Sequence, residues 1–135
     1  MDMELIPIGV INSQYMTKND APHQGRYSTD TSKITVFDEF LDGLDGLEAN
    51  KYLIILYWQD RAERDKLKVI PYGRTEKRGI FSTRAPVRPN PIAFCLVELL
   101  DMNKNKLIVK WLDALDGSPL LDIKPFWDID IIDTD

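Results

Sequence analysis

The hydrophobic positions of this chain fall into short runs with the length of β-strands, and few recur with helical spacing. The most apolar run is KYLIILYW at Lys51–Trp58, whose length and residue types predict a strand buried on both faces. Two further runs, Ile92–Met102 and Leu107–Leu112, flank a polar turn at Asn103–Lys106 and predict a hairpin. Apolar residues within Asp38–Glu48 predict one or two helical turns, since two glycines there disfavour a long helix.

The rest of the pattern also favours strands. Further strands are predicted at Glu4–Ser13, Lys33–Phe37, Leu67–Tyr72 and Gly79–Thr83, which gives six or seven short strands in all. Because these strands do not alternate with long helices, a doubly wound α/β sheet is disfavoured. We therefore predict a mostly β, small β-barrel-like single domain over residues 1–135, with one or two short helices.

Composition limits the classes of function. The chain has 135 residues, 44% of them hydrophobic and 29% charged, which is ordinary for a soluble domain. Its net charge of −5 argues against nucleic-acid binding by bulk electrostatics, although five cations lie between Arg74 and Arg88. One histidine and one cysteine make a metal site built by the protein improbable, and Cys95 is expected in the core. Without an apolar run near the ~20 residues of a membrane span or a signal peptide, we expect a cytoplasmic protein with no membrane contact.

The first candidate for chemistry is the proline segment, which we define as Gly79–Phe94 (GIFSTRAPVRPNPIAF). Three prolines fix φ near −65° and should hold this segment stiff and extended. It also carries two guanidinium groups, Arg84 and Arg88, which suit an anion or a planar polar ligand. The alternative interpretation is a proline-rich corner between strands with solvated arginines.

The second candidate is LDGSP at Leu115–Pro119, where an Asp-Gly turn exposes backbone groups that a ligand can approach closely. A plain hairpin turn is the alternative. The usual nucleotide-binding motifs, G-x-G-x-x-G after a strand and the P-loop, are absent from the sequence. A Ser-His-Asp triad would have to use His23, which lies in a long polar loop and is expected to be exposed.

Four motifs in order, PIGVINS, DGLDGLE, GIFSTRAPVRPNPIA and LDALDGSPLLDIKPF, resemble the TrmO family, also called TsaA-like. The resemblance covers nearly the whole chain. It implies a small β-barrel methyltransferase that uses S-adenosylmethionine (SAM) and usually works as a homodimer. Its implied reaction is N6-methylation of threonylcarbamoyladenosine at position 37 of certain tRNAs.

The resemblance also implies site residues. The implied SAM contacts are Pro22, His23, Gln24, Gly25, Arg26, Asp60, Arg61, Arg84, Phe94, Leu115, Asp116, Gly117, Ser118 and Pro119. Arg84 or Arg26 suits the methionine carboxylate, and Asp116 suits ribose hydroxyls as a hydrogen-bond acceptor. Arg88 and Asn90 are the candidate catalytic residues. Asn90 either orients a substrate amide or pins the proline segment, and Arg84 either binds SAM or braces that segment.

Three other functions stay open on the sequence. They are methylation of a small molecule by the same site, a non-catalytic module that binds SAM or a nucleotide, and a β domain used only for assembly. Methyl transfer from a sulfonium needs no metal, so none is expected. We also expect a homodimer with the cofactor near the interface, because exposed strand edges favour pairing. The tail Trp127–Asp135 is predicted to be an edge strand or an arm lying on a neighbour.

Overall fold

The computed structural model describes residues 1–21 and 30–132. Within them, the strands are β1 Gly9–Asn12, β2 Thr31–Val36, β3 Tyr52–Trp58, β4 Lys68–Val69, β5 Arg78–Gly79, β6 Ile92–Asn103, β7 Lys106–Lys110 and β8 Ser118–Pro125. Short 3-10 helices lie at Asp38–Leu44, Leu47–Ala49, Ile80–Ser82 and Asp128–Asp130. Six strands form a closed barrel in the order β1-β2-β7-β6-β3-β8, and β4 and β5 form a separate two-stranded sheet. The predicted mostly β, barrel-like fold is confirmed.

Side chains of the barrel strands alternate between its interior and its outer face. On β3, Leu53, Ile55 and Tyr57 are buried, whereas Ile54 and Leu56 are half-buried. The predicted strand is confirmed, but the prediction that both of its faces are buried is wrong. A single closed sheet has only one inner face, so β3 is apolar throughout while its outer side chains are only partly covered.

The barrel interior holds the hydrophobic core, which also includes side chains from the loops. The core residues are Ile11, Ile34, Val36, Leu44, Leu53, Ile55, Tyr57, Cys95, Val97, Leu107, Val109, Leu112, Ala114 and Leu120. The prediction that Cys95 belongs to the core is confirmed. Among the described residues, no helix is long and apolar enough to cross a bilayer.

The predicted hairpin is confirmed as β6 and β7, which pair through Asn103 and Lys106 around a two-residue turn. Lys104 adopts a φ of 56°, the left-handed conformation that such tight turns require. The side-chain amide of Asn105 donates to the carbonyl of Val36, 2.8 Å away. The turn is therefore fastened to the end of β2, the neighbour of β7 in the barrel.

Other predicted strands are shorter than the sequence suggests, or absent. Pairing in the first strand covers only Gly9–Asn12, and β4 has two residues. The segment Gly79–Thr83 is not a strand, because a 3-10 helix begins at Ile80 directly after β5. The backbone amide of Ile80 donates to the carbonyl of Leu67 at 2.9 Å, and the side chain of Ile80 is buried. Together these contacts turn the backbone inward at Ile80.

For the tail, the edge-strand alternative is wrong, and the other alternative, an arm lying on a neighbour, stays a prediction. Its described part contains a 3-10 helix at Asp128–Asp130 instead of an edge strand. The Asp130 carboxylate accepts a hydrogen bond from the backbone amide of Trp127 at 2.8 Å. This capping contact closes the turn and removes the extended backbone that strand pairing would need.

Antiparallel pairing brings several loops to one end of the barrel. β8 begins beside the ends of β1 and β3, and β6 also begins beside the end of β3. A bulge lies at this point, where Leu56 pairs with Asp122 but Tyr57 pairs with Leu120. Bulges are frequent next to functional sites because they change the direction of a side chain.

Candidate functional site

A cavity of about 690 Å³ lies at this loop end of the barrel, within the size range of small-molecule sites. Its walls come from the segment after β1, the end of β3, the loop after β3, the segment after β4, the proline segment, and the connection from β7 to β8 with the first residue of β8. The lining residues are Met16, Thr17, Lys18, Ala21, Tyr57, Gln59, Asp60, Arg61, Ala62, Pro71, Tyr72, Thr83, Arg84, Ala85, Pro86, Asp113, Leu115 and Ser118. The walls are mainly apolar, with a few charged groups between them.

Arg61 ties three of these segments together. Its Nη2 donates to the backbone carbonyl of Asp116 at 2.7 Å, and its Nη1 donates to that of Met16 at 3.4 Å. The Nε atom also lies 3.5 Å from Oδ1 of Asp60. Because Arg61 is in the loop after β3, these contacts fix the relative positions of three cavity walls.

The Asp-Gly turn is fastened to the end of β1. Oδ1 of Asp116 accepts hydrogen bonds from Nδ2 of Asn12 at 3.2 Å and from the amide of Ser13 at 3.0 Å. The Asn12 hydrogen bond, followed by that of Ser13, lowers the pKa of the Asp116 carboxyl. Gly117 has a φ of 83°, which favours glycine, and its amide donates to the carbonyl of Ile11.

The two arginines of the proline segment have different surroundings. Arg88 is half-buried, and its Nη1 donates to the carbonyls of Thr83 at 2.9 Å and Ala85 at 3.2 Å. Arg84 is exposed and lines the cavity, with its guanidinium carbon 5.7 Å from the centroid of the Phe94 ring. Within the described part of the chain, no carboxylate forms an ion pair with Arg84. The geometry thus gives Arg88 a bracing contact and leaves Arg84 able to bind an anion.

Asn90 lies at the base of the proline segment. Its Oδ1 is 3.4 Å from Nη2 of Arg64, whose Nε donates to the carbonyl of Pro89 at 2.7 Å. The guanidinium of Arg64 also lies over the ring of Trp58, 5.1 Å from its centroid. These contacts attach the segment to the end of β3.

A polar cluster of Tyr57, Asp113 and Cys95 lies where the cavity meets the core. The Tyr57 hydroxyl donates to Oδ1 of Asp113 at 2.8 Å. Burial raises the pKa of all three groups above their ordinary values, that of the Cys95 thiol to about 12. For Asp113, hydrogen bonds oppose this effect, and the bond from Tyr57 is the largest of them. Tyr57 and Asp113 line the cavity, and the Cys95 thiol is 3.1 Å from the carbonyl of Trp111.

The cavity brings together some of the residues proposed from the sequence. The lining includes Asp60, Arg61, Arg84, Leu115 and Ser118. The cavity lining does not include Arg88, Asn90, Phe94, Asp116, Gly117 and Pro119. The candidates Pro22, His23, Gln24, Gly25 and Arg26 lie outside the described residues. All these functional roles stay predictions.

The sequence-based interpretation missed Tyr57 and Asp113 as cavity residues. The sequence indicates Tyr57 only as one residue of an apolar strand. The one available signal for Asp113 was its place in DALDGSP, next to the Asp-Gly turn. Among the described residues, no cluster of three or more His, Cys, Asp and Glu side chains could hold a metal ion.

Comparison with known proteins gives consistent matches. Residues 10–131 match the family described as tRNA-methyltransferase O N-terminal domain. A protein of Archaeoglobus fulgidus named S-adenosyl-L-methionine-binding protein is 56% identical over 92% of this chain and 89% of its own length. A Methanothermobacter thermautotrophicus protein named as a probable S-adenosyl-L-methionine-binding protein is 53% identical over 96% of this chain and 95% of its own length.

Two crystal structures of TrmO superpose on the whole chain with TM-scores of 0.83. They are 31% and 28% identical to it, and the latter is from Pseudomonas aeruginosa. This chain spans 62% and 61% of the length of those two chains.

Proposed function

This chain belongs to the tRNA-methyltransferase O N-terminal domain family, and from this premise we propose that it is a SAM-dependent methyltransferase. The proposed substrate is tRNA carrying threonylcarbamoyladenosine at position 37, methylated on N6. The observation that carries the proposal is the cavity, because five residues that the resemblance assigns to SAM line it together.

The cavity residues fit SAM in both size and chemistry. A volume of about 690 Å³ exceeds what a ligand of this size needs, and the excess leaves room for part of a substrate. Apolar walls such as Ala85 and Pro86 suit the flat adenine, and the Arg84 guanidinium suits the methionine carboxylate. Asp60, as a hydrogen-bond acceptor, suits ribose hydroxyls, the role predicted for Asp116.

When bound, SAM supplies a methyl group activated by a sulfonium sulfur. The chain's own contribution is mainly positioning, which contributes up to ~7–11 kcal/mol in ideal cases. Arg61 fixes three walls and Arg88 braces the proline segment, so the binding groups are held before a ligand arrives. Preorganisation of this kind reduces the entropy that binding costs.

Exposed cations in one stretch of the chain support a nucleic-acid substrate. Arg74, Lys77, Arg78 and Arg84 are all exposed, and Arg84 also lines the cavity. Phosphate contacts position a nucleic acid and make its affinity depend on salt. Although the chain is acidic overall, these cations, with Arg84 at the cavity itself, favour a polyanion over a small neutral molecule as substrate.

We also propose that the protein acts as a homodimer joined through the outer face of β6. The closed barrel leaves few strand edges for pairing, so the argument from exposed edges does not apply to its six strands. Instead, Ile92 and Phe94 expose 43% and 52% of their surface on one face of β6. Arg84 contacts Phe94 and lines the cavity, so a partner here would lie beside the site.

Light scattering at tens of micromolar tests the dimer. The double variant Ile92→Ser with Phe94→Ser should be monomeric. A chain ending at Pro125 tests the tail separately: if the tail has no role in assembly, this chain should still dimerise. A wild-type monomer would refute the assembly.

Two measurements test the enzymatic proposal in sequence. Calorimetry with SAM should show saturable binding, and no heat at millimolar SAM would leave only the assembly role. The protein is then incubated with SAM and tRNA from a strain lacking the gene, and the nucleosides are analysed by mass spectrometry. We expect threonylcarbamoyladenosine to gain one methyl group. SAM binding without any change in the tRNA nucleosides would favour a small-molecule substrate or a binding module.

A further inference from the structure

Within the part of the chain that the structure describes, two carboxylates line the cavity, and their surroundings differ. Asp60 is exposed and pairs with Arg61. Asp113 is half-buried, in the connection between β7 and β8, and accepts a hydrogen bond from Tyr57 beside the bulge. Nothing in the SAM-binding scheme above uses Asp113, although a buried carboxylate carries a desolvation cost.

We propose that Asp113 accepts the proton that the attacking nitrogen loses during methyl transfer, with Tyr57 as its positioning residue. This inference rests on the proposed function, since it assigns a role within the same reaction. Tyr57 donates to Oδ1 of Asp113 and so orients the carboxylate, and Asp113 lines the cavity in which the substrate would bind.

The step balances without another reactant. The nitrogen lone pair forms the new C–N bond as the methyl carbon–sulfur bond breaks, and the electron pair of that bond remains on sulfur. The proton of the nitrogen passes to Asp113, which later loses it to solvent through the open cavity. An amide-like nitrogen is a weak nucleophile while it keeps its proton, so a nearby base promotes its attack.

The electrostatics of the cluster suit this role. A carboxyl whose pKa lies above its ordinary value is a stronger base once ionised, and burial has this effect on Asp113. Tyr57 and Cys95 face Asp113 from β3 and β6. Burial is the largest influence on the pKa of Asp113 and raises it; the hydrogen bonds from Tyr57, from the backbone of Asp113 and from Cys95, in that order, lower it. Of the residues with described positions, the other charged groups that line the cavity are Lys18, Asp60, Arg61 and Arg84. Tyr57 itself stays protonated, because burial and the charge of Asp113 raise its pKa.

The first test is Asp113→Asn, which keeps the shape of the side chain and removes the base. We expect single-turnover methyl transfer to fall by at least about 100-fold, the lower range of general-base effects. SAM affinity by calorimetry should stay within about threefold of wild type. The control Asp101→Asn, at the far end of β6, should keep the wild-type rate of methyl transfer and the wild-type SAM affinity. An Asp113→Asn protein that folds and methylates at the wild-type rate would overturn the inference.

The second test measures the pKa of Asp113 directly, independent of activity. Tyr57→Phe removes a hydrogen bond that stabilises the carboxylate, so carbon-13 NMR should show the pKa of Asp113 rising. Cys95→Ala should raise it less, since the contribution of Cys95 is the smaller of the two. The acid limb of the pH–rate profile should move upward with the NMR value in both variants. This arm also decides the matter if Asp113→Asn does not fold.

The outcomes separate this inference from the proposed function. If the wild-type protein binds SAM but leaves the tRNA unchanged, the proposed substrate fails and the inference fails with it. If wild type methylates tRNA, but the pH–rate profile of Tyr57→Phe stays fixed while the NMR pKa moves, only the inference is wrong.

Discussion

Removing the Arg84 guanidinium should weaken SAM binding while leaving the barrel intact. A hydrogen bond to a charged group contributes about 1.5–3 kcal/mol, which corresponds to about 10- to 150-fold in Kd. Arg84 is exposed, so solvent screening favours the lower end, and we expect about a tenfold loss for Arg84→Ala. The lost contact with the Phe94 ring should cost about 0.5–1 kcal/mol of folding stability, or a few degrees in Tm.

Calorimetry with SAM at low and high salt provides the assay, and the Tm of each variant reports the fold. Arg84→Lys should lie between wild type and Arg84→Ala, because an ammonium keeps the charge but loses the planar fork. Arg74→Ala is the matched control, since it removes the same charge from an exposed position that does not line the cavity. If Arg84→Ala is folded and binds SAM as tightly as wild type does, the methionine carboxylate of SAM is bound by another residue.

Three further predictions concern the fold and the site. Gly9→Ala would push its new methyl group into a carbonyl oxygen of β2, so denaturant unfolding should show the free energy of unfolding lowered by about 1–3 kcal/mol. Gly43→Ala is the control, because its methyl group meets open space and should not lower that free energy. The hydrogen bond and charge of Lys110, 2.7 Å from Glu98, with the charge of Lys51 at 3.8 Å, lower the pKa of Glu98 below its ordinary value. The ionised carboxylate therefore stabilises the fold above the ordinary pKa of a glutamate, and this stabilisation is lost as the pH falls through the lowered pKa. Thermal melts from pH 6 to 3 should therefore show a weaker acid dependence for Glu98→Gln. Asp116→Asn should weaken SAM binding more than Asp122→Asn, since only the former holds the turn against β1; the reverse order would contradict this.

The sequence predicts features that depend on local pattern. The hairpin at Asn103–Lys106 and the short helical turns within Asp38–Glu48 were found because their turn residues and spacing act within a few residues. The segment Gly79–Thr83 was misassigned because a hydrogen bond to Leu67, distant in sequence, decides its conformation. A hydrogen bond between segments distant in the chain leaves no periodic pattern in the amino-acid sequence.

In the candidate site, too, residues within sequence motifs could be predicted, whereas a residue whose surroundings come from distant segments could not. Arg84 and Arg61 could be named because they lie in motifs that the resemblance covers. Asp113 could not, because its role depends on Tyr57 and Cys95, which reach it from two other strands. A buried carboxylate looks like any other aspartate until the tertiary structure shows what surrounds it.

Closure of the barrel has a consequence for the order of folding. The last barrel strand, β8, pairs with both β1 and β3, so the ring cannot close until residues 118–125 have left the ribosome. Contacts between segments so distant along the chain carry a high loop-closure entropy, which makes their formation slow. The same event brings the turn at Asp116 to the end of β1 and to Arg61. A nascent chain that lacks residues 118–125 would thus have strands but no cavity, and the capacity to bind a ligand should arise in one step when β8 joins the barrel.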